Sequence, residues 1–154
     1  MDLITHTLIH LSGVLVAGFV VWKIWGKSLL SFGIAFVSGL LIDFDHLLDY
    51  LLVFGKNFKF DYAIKGYEFL ESGKVYVIFH GWEYVLILAG FVFITKSKTV
   101  KTVLLALSLG LFTHLIIDTV TNGMPPEGYS VIYRAVNNFE AKNIVRQKKI
   151  QIQK

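Results

Sequence analysis

The stretch Leu40-Leu41-Ile42-Asp43-Phe44-Asp45-His46-Leu47-Leu48-Asp49 decides how the rest of the chain is read. Upstream of it, Ser28 to Ile42 carries no ionisable residue, so an apolar run suited to lipid ends in three carboxylates and an imidazole. Acid at membrane depth is costly unless something cationic meets it. Lys and Arg sit in loops, in the tail and, as Lys23 and Lys101, at the outer ends of apolar runs, away from these carboxylates, which leaves a bound metal ion as the simplest counter-charge.

Composition agrees with a membrane setting. Hydrophobic residues make up 55% and charged residues 17% of the chain, and mean hydropathy is +0.60, which excludes an ordinary soluble domain and implies one integral membrane domain over 1–154. Cysteine is absent, so disulfides and thiolate-bound metal are excluded and His, Asp and Glu are the strong ligands available. The net charge of +4 would suit nucleic acid, but the basic residues flank apolar segments. Membrane lipid with anionic headgroups is therefore the expected partner, and nucleic acid is not. No basic n-region or small-residue cleavage site accompanies the first apolar run, so it is expected to remain as a membrane helix.

Segments near 4–25, 28–54, 75–95 and 99–120 reach about the ~20 residues needed to cross a bilayer. The connections Lys23 to Lys27 and Lys96-Ser97-Lys98 are short, which predicts two antiparallel hairpins and an all-α, polytopic four-helix membrane bundle. The longer loop Gly55 to Lys74 and the stretch Tyr129 to Phe139 have the mixed composition of interfacial amphipathic segments, and 121–154 reads as an interfacial, basic tail. Five Lys lie on the short-loop side against ten Lys and Arg on the other. By the positive-inside rule the long-loop side and both termini face the cytoplasm, placing the chain in the cytoplasmic (inner) membrane.

The ionisable residues of the apolar segments then fall at one level. Asp43, His114, His80 and His10 each lie 15 residues from the short-loop end of their segment, about 22 Å along a helix. Each helix carries a pair at i, i+3 or i, i+4 spacing: His6 with His10, Asp43 with His46, His80 with Glu83, His114 with Asp118. Inward pairs of this kind on four helices hold divalent ions in known bundles. The predicted metal ligands are His6, His10, Asp43, His46, His80, His114 and Asp118, for one or two ions, with mixed N and O donors favouring Zn or Mn. Asp45 points away from Asp43 on a regular helix, which makes it a candidate to support a ligand from outside the metal site or to distort the helix, and Asp49 is free to reach the headgroups. A haem bundle would leave Asp43, Glu83 and Asp118 without a role. A divalent-metal or proton transporter and a non-catalytic, metal-stabilised scaffold remain as rivals. Motifs such as H-E-x-x-H, G-x-S-x-G and the Walker loop are absent.

Thr5-His6, Asp43-Phe44-Asp45-His46, His80-Gly81-Trp82-Glu83 and His114-Leu115-Ile116-Ile117-Asp118-Thr119-Val120-Thr121-Asn122-Gly123 together resemble, in type and order, the motifs of the membrane-bound, metal-dependent hydrolase family typified by a LexA-regulated inner-membrane protein. The resemblance runs from Thr5 to about Gly123. Two elements depart from it: Ile42 stands where that family has Pro, and His80 to Val85 lacks its Arg and second His. The resemblance implies a hydrolase. The expected substrate is a phosphoester of a lipid or lipid-linked molecule, with Glu83 or Asp45 as the catalytic proton acceptor and Glu83 alternatively a ligand.

Overall fold

The computed structural model describes residues 3–57, 72–122 and 124–145. Among these all regular elements are helical: α1 (Leu3–Trp25), α2 (Ser28–Leu40), a 3-10 turn (Leu41–Asp43), α3 (Phe44–Phe54), α4 (Trp82–Ile94), α5 (Lys98–Thr121), a second 3-10 turn (Pro126–Tyr129), α6 (Val131–Val136) and α7 (Ala141–Ile144). Most of the loop expected to lie along the interface, and the basic terminus beyond 145, fall outside the described residues.

Three helical segments, Ile4–Trp25, Ser28–Phe54 and Lys98–Thr121, are long and apolar enough to cross a membrane. Their outward side chains include Ile4, Leu29 and Val120, all largely exposed. That arrangement is stable only where the surroundings are themselves apolar. α1, α2 and α5 pack on one another in all three pairings, while α4 lies chiefly against α5. Gly26, at φ 72°, ends the first helix by taking the left-handed conformation that glycine adopts without strain. Lys27 Nζ donates to Thr99 Oγ1 at 2.6 Å, which puts the α1–α2 turn and the start of α5 at the same end.

Close approach of the long helices follows from a stripe of small residues. α2 buries Ser31, Ala35 and Gly39 at intervals of four, and α5 buries Thr102, Ala106 and Gly110 followed by His114 and Asp118 at the same interval. In lipid there is no hydrophobic drive between helices, so small side chains that let backbones meet carry the association. A Cβ on Gly110 would collide with Ser38 Oγ and lie 2.7 Å from the Ala35 carbonyl oxygen. Gly110→Ala should therefore destabilise the protein by about 1–3 kcal/mol, the usual cost of overpacking. Denaturant titration in detergent micelles will measure it, and an unchanged midpoint would contradict this packing.

The third apolar segment departs from expectation. It was expected to be helical over 75–95, but α4 begins only at Trp82 and has 13 residues, about 20 Å at the helical rise, short of the roughly 30 Å hydrocarbon core. Residues 75–81 are irregular instead, because carboxylates elsewhere in the chain take their N–H groups. Asp49 Oδ2 accepts from Tyr76 N at 2.9 Å and Val77 N at 3.0 Å, and Asp45 Oδ2 accepts from Phe79 N at 2.8 Å. Asp49 thus does not reach the headgroups; it is buried, holding this segment. The pairing of His80 with Glu83 on one helical face is lost in consequence.

A buried His and Asp cluster at one end of the helices

Beyond the small-residue stripe, each long helix delivers ionisable side chains to a single place. α1 brings His6 and His10, the break between α2 and α3 brings Asp43, Asp45 and His46, α5 brings His114 and Asp118, and the irregular segment brings His80. His10, Asp45, His80, His114 and Asp118 are buried, whereas the Asp43, His46 and His6 side chains are 50%, 37% and 26% exposed. The cluster therefore opens on the side of those three.

Four donors surround one point. Asp43 Oδ1 lies 3.3 Å from both His80 Nε2 and His114 Nε2, Asp118 Oδ2 lies 3.2 Å from His114 Nε2 and 3.6 Å from His80 Nε2, and the two imidazole nitrogens are 3.1 Å apart. Ligands held about 2.0–2.1 Å from a tetrahedral zinc ion are separated by roughly 3.3–3.4 Å. Asp43, His80, His114 and Asp118 can thus hold a metal ion. A second group, His6, His10 and Asp118, meets the same description, as does Asp45, His46 and His80.

Hydrogen bonding fixes which nitrogens face inward. His114 Nδ1 lies 2.8 Å from the Gly39 carbonyl oxygen, an acceptor only, so it must be the protonated nitrogen. His80 Nδ1 likewise donates to the Asp45 carboxylate at 3.0 Å. Both Nε2 atoms are then bare unless the rings are charged. Two lone pairs facing each other at 3.1 Å, with two carboxylates alongside, repel unless a cation lies among them. Outer partners that fix the tautomer of a histidine in this manner are the usual accompaniment of metal ligands.

Of the residues expected to act, Asp45 takes the outer place that its direction away from Asp43 suggested: it meets His80 at Nδ1, whereas Asp43 faces Nε2 of the same ring. Its Oδ2 is occupied by Phe79 N and His80, so it positions His80. Glu83 stands outside the cluster. Its carboxylate accepts from the Ser130 hydroxyl and, at 3.1 Å each, from Val131 N and Ile132 N, capping α6. Those bonds tie its carboxylate to the start of α6. His46 stays at the rim, its Nε2 4.0 Å from Asp43 Oδ1.

Arg134 was counted only among the basic residues of the tail and was given no structural role. It is fully buried, and its guanidinium donates to Gly128 O at 2.7 Å, Val77 O at 3.0 Å and His80 O at 2.9 Å. The irregular segment is thus gripped from both sides, its N–H groups by Asp45 and Asp49 and its carbonyls by Arg134. Non-helical backbone at membrane depth persists only when protein satisfies it in this way. Within Val131–Val136 Arg134 is the sole charged residue, a signal equally readable as an interfacial anchor. Tyr129 was also unassigned. It is buried with its ring centroid 6.5 Å from that of His80, and burial pushes its phenol above the ordinary range, so it remains a neutral O–H near the cluster.

Fold and site define a class: a helical membrane protein with a buried His and Asp cluster able to hold a metal ion. Comparison with protein-family models, with curated proteins and with solved structures gives no match.

Proposed function

We propose that the chain is a membrane-embedded, metal-dependent hydrolase of the family whose motifs it resembles, cleaving a phosphoester of a lipid or lipid-linked substrate. The observation that carries this reading is the pair of imidazole Nε2 atoms aimed at each other between two carboxylates. One or two divalent ions are bound, Zn²⁺ or Mn²⁺ by the mixed donor set. An ion held in this cluster would supply a Lewis acid that neutralises phosphate oxygens and acidifies water. The chain's own contribution is orientation: Asp45 and the Gly39 carbonyl hold His80 and His114 in one tautomer, and Arg134 fixes the backbone that carries His80. The partly exposed rim of Asp43, His46 and His6 admits a headgroup, while the substrate's tails stay in lipid against the apolar outer faces.

In this reading α1–α2 and α4–α5 form two hairpins of a four-helix bundle in the cytoplasmic membrane, both termini are cytoplasmic, and the basic flanks meet anionic headgroups. Transport is the less supported alternative. The layer beyond the cluster is filled by Val14, Ala17, Val21, Ala35 and Ala106, and its buried Ser31 and Thr102 hydroxyls are spent on carbonyls of their own helices. Such a site is closed at its inner end.

Protein purified in micelles and loaded with Zn²⁺ or Mn²⁺ should release phosphate or a phosphorylated headgroup from lipid phosphoesters, and a strong chelator should abolish the release. Metal uptake without cleavage of any phosphoester lipid would leave a scaffold, and metal flux into liposomes would establish a transporter. Orientation is tested separately on a chain free of native cysteine. An Ile150→Cys protein should resist an impermeant thiol reagent added to intact cells and react after lysis; labelling from outside would reverse the topology.

A further inference from the structure

Asp118 presents its two oxygens to two different sets of histidines. Oδ2 belongs to the four-donor group described above. Oδ1 faces away from it, 3.2 Å from His10 Nε2 and 3.5 Å from His6 Nε2, and those two nitrogens are themselves 2.8 Å apart. The three separations scatter about the roughly 3.3 Å edge expected between ligands of one small ion. His10 and Asp118 are both almost fully buried, and Asp118 Oδ1 has no hydrogen-bond partner. A buried carboxylate oxygen is not left so without cost.

From this we infer that Asp118 bridges two cation sites of unlike kind. One is closed by four protein donors, Asp43, His80, His114 and Asp118 Oδ2. The other, made by His6, His10 and Asp118 Oδ1, offers three donors and leaves a position for a ligand from outside the chain. Closed four-donor sites are typical of structural ions and three-donor sites of catalytic ones, and two ions sharing a bridging carboxylate form the standard clamp on a phosphate ester. The inference rests on the metal-dependent reading above and deepens it, placing the substrate's phosphate at the His6 and His10 side, where His6 is partly exposed.

The experiment is metal stoichiometry by elemental analysis and calorimetry with Zn²⁺, together with electron paramagnetic resonance of the Mn²⁺-loaded protein, on wild type and on variants whose helical content is checked by circular dichroism. Wild type should bind two ions per chain and give the spectrum of a coupled pair. His6→Gln/His10→Gln should bind one, with affinity within about tenfold of the tighter wild-type site, show an uncoupled single-ion spectrum, and lose turnover. The single variant His6→Gln, altered at a partly exposed position, gives the same reading should the double variant fail to fold. Asp118→Asn should lose coupling and weaken both sites. A wild type that saturates at one ion overturns the inference while leaving the metal-dependent reading intact. An Asp118→Asn protein that keeps a coupled pair also overturns the inference, as does a His6→Gln/His10→Gln protein that still binds two ions. Wild type that binds none overturns both.

Discussion

Replacing Arg134 with methionine should unfold the region around His80 and cost the protein more than any other single substitution outside the small-residue stripe. The change keeps much of the apolar stem and removes the donors. Three buried carbonyl oxygens, those of Val77, His80 and Gly128, are then left unsatisfied, at about 1–3 kcal/mol apiece. The effects are not additive, and about 3 kcal/mol or more is the expected total. Arg134→Lys should rescue little. The guanidinium reaches Gly128 through Nη1 and the other two carbonyls through Nη2, a fork that a single ammonium does not reproduce. Denaturant titration in micelles gives the stability. Metal binding to the same preparation should fall with it, because His80 loses its backbone anchor. An Arg134→Met protein with wild-type stability and metal content would mean that Arg134 is an interfacial anchor after all.

Asp45→Asn should separate positioning from folding. Asp45 is buried and 3.0 Å from His80 Nδ1, and it also receives the Phe79 N–H. Asparagine can keep the bond from Phe79 through its carbonyl oxygen, so the fold should lose little. It cannot keep the charge that favours a proton on His80 Nδ1. Loss of such an outer partner typically costs about 10–100-fold in metal affinity or activity. Calorimetric titration with Zn²⁺ should show that drop while the unfolding midpoint moves only slightly. If affinity is unchanged, the tautomer of His80 is set by something other than Asp45. If Asp45→Asn unfolds the chain, its main task is the clamp on 76–80, shared with Asp49.

These two residues mark where sequence reasoning stopped. Ideal helix geometry set Asp45 away from Asp43, as befits an outer partner, but it could not name what Asp45 would hold, because His80 lies 35 positions on in a segment that is not helical. Arg134 lay in a tail with several other basic residues, and nothing local distinguishes an arginine that snorkels to headgroups from one that enters the protein. Glu83 misled for a related reason. A carboxylate three residues after a histidine suggests a shared helical face, but helix α4 begins between them, at Trp82, and the carboxylate caps α6 instead.

The sequence by itself determined that the chain is helical and apolar enough for a membrane. It also brought His6, His10, Asp43, His114 and Asp118 to one end, because run length and the constant rise of a helix convert residue number into depth. Periodicity over three or four residues needs no partner to be read. Only the tertiary structure decided what happens at the cluster's edges. Asp49 meets Val77 across 28 positions, Glu83 meets Val131 across 48, and Arg134 meets Val77 across 57. Each of these contacts satisfies backbone or helix-terminal groups that regular helix would have satisfied locally. Their partners are chosen by which buried groups remain unpaired once the long helices have packed, a quantity that does not exist until the chain has folded.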